Sequence, residues 1–163
     1  MRIFKKCSII IIFFGALIVN AQKKTVNFEV NYRQYYCGGA RPSEEIMANL
    51  NKLKPYSYQS IIIISSKGKV DSVKTNENGE VKINLKPGKY KAFEAWRYYK
   101  KIPADFSIGD FDIVCLKTEW KKEIKEIIIT VKEIKVIDKN EIIYTCPWNT
   151  PCILDSRRPP VAE

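Results

Sequence analysis

Lys74-Thr75-Asn76-Glu77-Asn78-Gly79-Glu80-Val81-Lys82-Ile83-Asn84-Leu85-Lys86-Pro87-Gly88-Lys89-Tyr90-Lys91-Ala92-Phe93-Glu94 is the stretch whose reading decides the fold. Val81, Ile83 and Leu85 alternate with Lys82, Asn84 and Lys86, the period of a strand with one buried face. Asn76-Glu77-Asn78-Gly79 before it is a turn signal, because Asn-Gly tolerates positive φ. Lys86-Pro87-Gly88-Lys89 after it is a second, with Pro presetting φ and Gly supplying the left-handed residue. Tyr90, Ala92 and Glu94 then share one face of a following strand. The stretch reads as a ladder of strands joined by tight turns.

The same alternation extends outward on both sides. Upstream, Thr25 to Arg33 puts Val26, Phe28, Val30 and Tyr32 on one face of a single first strand. Ile61-Ile62-Ile63-Ile64 is a continuous β-branched run, as in a strand buried on both faces. Lys67-Gly68-Lys69 turns the chain, and Val70 to Lys74 forms the next strand. Downstream, Glu126 to Ile134 reads as one strand, Asp138-Lys139-Asn140 as a turn, and Glu141 to Cys146 as the last strand. One helix is expected near 43–53: Ser43 is a suitable N-cap, Glu44 and Glu45 suit the positive end of the dipole, and Ile46, Leu50 and Leu53 form a face to pack on the sheets. Ile102 to Lys122 has no period and reads as an insertion. The sum is an all-β chain: a seven-stranded antiparallel Ig-like sandwich with a disulfide-tied insertion near 97–122.

The ends of the chain are different in kind. Arg2, Lys5 and Lys6, the apolar run Ser8 to Val19 and the small residues of Val19-Asn20-Ala21 describe a secretory signal peptide over 1–21, too short to span a bilayer comfortably. Removing its three basic residues lowers the formal net charge from +10 to +7. The domain then runs over 22–146. Residues 147–163, with Pro147, Pro151, Pro159 and Pro160, form a tail pinned by Cys152 and unable to hold a central strand. Export to the periplasm or medium follows, with no transmembrane span after cleavage.

Several function classes are closed by composition. The 163 residues contain no histidine, which removes Ser-His-Asp and Cys-His catalysis and every His-containing zinc site. Nucleic acid is not an expected partner, since no basic-aromatic binding motif is present. Asp105, Asp110 and Asp112 lack the EF-hand spacing, so neither metal nor cofactor is expected. Cys37, Cys115, Cys146 and Cys152 form an even set in an exported chain, hence two disulfides; a four-cysteine zinc site is disfavoured by the lack of any CxxC pair. If the first and last strands are parallel neighbours, Cys37 bridges to the Cys146/Cys152 pair and Cys115 takes the other. A local Cys146–Cys152 bridge is the remaining arrangement.

Two segments carry candidate binding residues. Cys37-Gly38-Gly39-Ala40-Arg41-Pro42 is a sharp loop able to form an anion nest beside Arg41, although two glycines after a bridging cysteine also serve simply to let the chain leave the sheet. Trp96, Arg97, Tyr98, Tyr99 and Lys100 form a basic-aromatic cluster suited to a sugar or an anionic ligand; tyrosines packed on an exposed rim give the same pattern. The lysines scattered along the strands read as a solvated face, or as a surface for anionic lipid or polysaccharide.

The pattern Thr75-x-x-x-Gly79-x-x-x-Ile83-x-Leu85-x-x-Gly88-x-Tyr90 resembles Cna-B-like, prealbumin-like and carboxypeptidase regulatory-like sandwich modules over roughly residues 59–96. The resemblance implies the sandwich and says little of function. It also implies that Glu94, at the position of the glutamate in the Gly-x-Tyr-x-x-x-Glu motif, would promote a Lys–Asn isopeptide bond. The first strand offers no lysine for that bond, and Asn149 lies beyond the last strand. Tyr36-Cys37-Gly38-Gly39-Ala40-Arg41-Pro42 and Cys146, Pro151-Cys152 and Arg158-Pro159-Pro160 are similar to small exported proteins of flavobacteria-type bacteria. The expectation is a non-enzymatic exported module with a structural or binding role at the cell envelope, its partner a glycan or protein. The alternative is a carbohydrate or anionic-glycan binder using Trp96 to Lys101. Carboxylate-only catalysis by Glu94 with Asp105 or Asp110 would need a cleft between them, and nothing in the sequence supplies one.

Overall fold

A computed structural model describes residues 22–38, 41–102, 106–146 and 150–154. The expected signal peptide, Gly39-Ala40, Asp105, Pro147, Asn149 and the end of the tail lie outside these residues. The first strand is broken at Val30. Its first part, β1 (Lys24–Glu29), pairs antiparallel with β6 (Glu80–Leu85). Its second part, β2 (Asn31–Gln34), pairs antiparallel with the short β3 (Lys54–Pro55) and parallel with β10 (Ile142–Tyr144). Val30 itself leaves both ladders: its N–H donates to the Gly79 carbonyl, and its own carbonyl accepts from the Tyr56 N–H, both at 2.9 Å.

That crossing explains Gly79. Its φ is +75°, and a Cβ there would lie 2.4 Å from the Val30 carbonyl oxygen. Asn76 Oδ1 closes the same turn by accepting from the Asn78 and Glu80 N–H groups. The turn lies where the sequence places it, but only Gly79 and not Asn78 takes positive φ, and it does not close a hairpin. β5 (Val70–Lys74) and β7 (Gly88–Glu94) belong to a five-stranded sheet ordered β5-β4-β7-β8-β9, whereas β6 pairs with β1. Both turns around β6 therefore carry the chain between sheets. Gly88, at φ 156°, opens β7 and is not a left-handed turn residue.

The five-stranded sheet is antiparallel throughout, with β4 (Ser60–Ser65), β8 (Lys125–Ile129) and β9 (Ile134–Asp138) completing it. One core draws side chains from all three sheets: Val26 and Phe28, Val81 and Leu85, Ile61 and Ile63, Tyr90 and Ala92, Ile127 and Ile129, and Ile142. Each aliphatic side chain buried this completely contributes roughly 1.5–3 kcal/mol of transfer free energy. Ile62 lies on the other face opposite Phe93, and both are buried. The isoleucine run is therefore buried on two faces as its composition requires.

Among the described residues there are ten strands and three α-helices rather than seven strands and one helix. α1 (Glu44–Asn51) starts where expected, with Ser43 Oγ accepting from the Ile46 N–H. It buries no residue; Ile46 and Met47 remain exposed. The helix in contact with β4 is α2 (Ala95–Tyr98), directly after β7. The strand expected over 126–134 is a hairpin, bent at Thr130–Glu133. No Gly or Pro marks that bend: Thr130 Oγ1 accepts from the Glu133 N–H, and the Thr130 N–H donates to the Glu133 carbonyl.

The insertion has a small core of its own. A 3-10 turn at Ile108–Asp110 and α3 (Ile113–Glu119) bring together Phe111, Leu116 and Ile153, with Phe106 and Trp120 packed against them. Asp112 caps α3 by accepting from the Val114 and Cys115 N–H groups, and Asp110 accepts from Ser107. Cys115–Cys152 fastens this unit. Cys37–Cys146 joins the ends of the parallel β2–β10 pair, 109 residues apart in sequence.

Candidate functional site

The register of β7 puts Glu94 on the inner face opposite Ile61, at the end of the strand. One turn of α2 then returns Arg97 to it. Arg97 Nε donates to Glu94 Oε2 at 2.8 Å, and the Tyr56 hydroxyl donates to Glu94 Oε1 at 3.2 Å. Arg97 Nη1 reaches across to the insertion, donating at 2.7 Å to both the carbonyl and the Oε2 of Glu119. Lys122 binds the other Glu119 oxygen. Two carboxylates and two cations thus form one closed line from the sheet to the end of α3. Arg97 also lies over the Trp96 ring, 4.5 Å from its centroid.

Burial makes this line unusual. Glu94 is 4% exposed and Arg97 is 8% exposed. A charge so far from water needs a partner, and here each has one. Burial alone would lift the Glu119 carboxyl; the bonds from Lys122 and Arg97 outweigh it and hold the group below the usual carboxylate range. Tyr56 moves the other way. Burial and then the Glu94 carboxylate push its hydroxyl far above the ordinary tyrosine value. Tyr144 is raised by burial and by the same carboxylate.

Beside the line opens a cleft of about 460 Å³. Tyr56, Tyr144, Trp96 and Ile102 line it, joined by Phe106 and Leu116 of the insertion and Pro151 of the tail. Tyr32 packs on the two lining tyrosines, edge to face with Tyr144 at 4.5 Å and with Tyr56 at 6.3 Å. Lys101 stands in the lining.

The candidate residues separate across this geometry. Trp96 and Arg97 reach the cleft; Arg97 does so as a buried, doubly paired cation rather than as part of an exposed basic cluster. Tyr98 packs edge to face on Tyr99, and Tyr99 and Lys100 face solvent. Arg41 is exposed and does not line the cleft. Glu94 meets a tyrosine and an arginine, not the lysine and asparagine of an isopeptide bond. Asp110 and Asp112 cap helical turns, and no group of three metal-ligating side chains exists among the described residues. Sequence reading missed Tyr56, Glu119 and Tyr144. The Glu94 to Arg97 and Glu119 to Lys122 spacings of three were the available signal, meaningful only once residues 95–98 and 113–119 are helical.

No family model, no curated protein and no solved structure matches the chain. Among the described residues no helix is long and apolar enough to cross a membrane. The two disulfides suit an oxidising compartment.

Proposed function

We propose that the chain is an exported, non-enzymatic β-sandwich module of the prealbumin-like kind, with a structural or binding role at the bacterial cell envelope. One observation carries the reading. Among the described residues, the carboxylate that lines the cleft, Glu94, is engaged by Arg97 and Tyr56, and Glu119 at the far end of the same line by Arg97 and Lys122. A general base needs a free lone pair within reach of a substrate proton. A cleft whose buried charges are paired with one another and whose walls are largely aromatic and aliphatic suits binding rather than reaction. The fastening of the insertion by Cys115–Cys152 gives that cleft a rigid outer wall.

The test has two arms. Fractionation with N-terminal sequencing should find the mature chain, starting at Gln22, outside the cytoplasm. Hydrolytic turnover on ester, glycoside and peptide substrates should be at background. Turnover abolished by Glu94→Gln in a folded protein, or a cytoplasmic chain with residues 1–21 retained, would overturn the reading.

The second reading is a glycan binder. It is favoured by Trp96 and Lys101 lining one cleft, an aromatic face beside a cation without an ion-pair partner among the described residues. Glycan-array binding lost on Trp96→Ala with the fold intact would establish it, and an array without any binding would remove it.

A further inference from the structure

The opposite end of the molecule is built differently. β7 runs from Gly88 to Glu94, so its two ends are about 20 Å apart. At the Gly88 end the turns after β4 and β6 meet the start of β1. Together they form a second cleft of about 380 Å³. Lys23, Lys67, Lys69, Lys86 and Lys89 line it, with Asp71 as the single carboxylate among the described residues. Asp71 pairs with Lys69. No ion pair among the described residues takes Lys23, Lys67, Lys86 or Lys89.

The β8–β9 turn belongs to the same end. Ile129 pairs with Gly88, which lines the cleft, and Lys24 Nζ donates to the Val131 carbonyl at 2.6 Å. Val131 is 83% exposed, with Lys132 beside it. The β1–β6 ladder grades charge along its length: Lys24 and Lys86 stand at this end, and Glu29 faces Glu80 at the other. Such a gradient orients the molecule in the field of an anionic surface.

The geometry points to a membrane-docking end: the lysine cleft takes the phosphates of anionic lipid headgroups, and Val131 enters the interface beside them. Lysine is a point charge on a flexible stem and suits phosphates presented in varied positions. A cationic patch next to a protruding aliphatic side chain supplies the two weak signals that peripheral attachment combines. Nothing in this inference depends on export or on the cleft at Trp96, since the purified chain and vesicles suffice to test it.

The mature chain is sedimented with vesicles of phosphatidylcholine alone and of phosphatidylcholine with phosphatidylglycerol, at low and at high salt. Expected is saturable binding to the anionic vesicles that falls as salt rises. Lys67→Glu/Lys86→Glu/Lys89→Glu should weaken it about 100-fold or more, at roughly a tenfold loss per 1.4 kcal/mol and about 1 kcal/mol per lysine removed. Val131→Asp should weaken it without changing three charges. Lys52→Glu/Lys117→Glu/Lys121→Glu carries the same change of net charge elsewhere and should bind as the parent does. Circular dichroism confirms that each variant is folded. No binding to anionic vesicles would overturn the inference, as would equal losses in the two triple variants. Tight binding to a soluble anionic polysaccharide, with none to vesicles, would overturn it too.

Discussion

Arg97→Met isolates the energetic role of the buried line. The arginine side chain is 10% exposed and the Glu94 side chain 6% exposed, so water cannot take over when the guanidinium is removed. Methionine fills much of the volume, and the loss is therefore one of charge pairing. Glu94 would keep only the Tyr56 hydroxyl at 3.2 Å. Glu119 would keep Lys122. Breaking a buried pair by deleting one partner costs about 3–5 kcal/mol, because the surviving charge stays buried. For a domain of this size that corresponds to a fall in Tm of roughly 10–20 °C. Urea denaturation followed by circular dichroism gives the free energy directly. The companion is Glu94→Gln/Arg97→Met, which removes both charges. It should stand at least about 1.5 kcal/mol above Arg97→Met, since no bare carboxylate remains on the inner face. A single variant within about 1 kcal/mol of the parent would refute the claim that the pair is desolvated. A double variant no better than the single would place the loss in packing instead.

Glu119 titrates low in the fold, so the stability it adds is present above its unfolded value and is lost as pH falls through its folded one; acid unfolding should be shallower in Glu119→Gln, read by fluorescence from pH 6 downward. Tyr56 titrates high, so its stability is present below about pH 10 and is lost as pH rises beyond it, when only the unfolded chain ionises; absorbance at alkaline pH should show its phenolate appearing with unfolding, and Tyr56→Phe should flatten that limb. Gly79→Ala should cost more than Gly68→Ala in thermal melts: both residues sit near φ +80°, worth about 1–2 kcal/mol of strain, but only Gly79 has a carbonyl 2.4 Å from the new Cβ. Cys115→Ser/Cys152→Ser, opening a loop with a sequence separation of 37, should cost about 4 kcal/mol by chain entropy, measured by urea titration with the other bridge intact.

The features legible in the sequence are those whose cause is local. Alternation with a period of two is a property of one strand, and it placed Val26, Phe28, Val81 and Leu85 in the core. Ser43 is a cap whatever the helix later touches. Sheet membership is not local. The Asn76–Gly79 turn has the same dihedral chemistry whether its strands pair or part, and here they part because Val30 uses Gly79 as its partner. The Thr130–Glu133 bend is closed by a threonine side chain, which competes with the ladder without any Gly or Pro to announce it. The parallel β2–β10 pair brings residues over a hundred positions apart into contact, and Cys37–Cys146 then covers its end. Arg97 shows the same limit at the site. Among Trp96, Tyr98, Tyr99 and Lys100 it has the composition of a surface cluster. Only the helical turn after Glu94 makes it an interior cation.

The two ends of β7 put the same residue types to opposite uses. At the Glu94 end the charges of Glu94, Arg97 and Glu119 are desolvated, and the fold requires each of these to be cancelled. At the Gly88 end the lysines are exposed, and the fold asks nothing of them; gathered with one carboxylate, they repel one another at a small cost in stability. A feature that folding does not need, and slightly opposes, has its explanation outside the folded chain. The ends should therefore respond to different measurements. Charge changes at Glu94, Arg97 or Glu119 should move Tm and leave vesicle binding alone. Reversals at Lys67, Lys86 and Lys89 should leave Tm unchanged or slightly higher and abolish the salt-dependent part of binding. If instead the lysine reversals lowered Tm by as much as Arg97→Met does, the basic cleft would belong to the fold, and the separation of stability from recognition along this strand would be wrong.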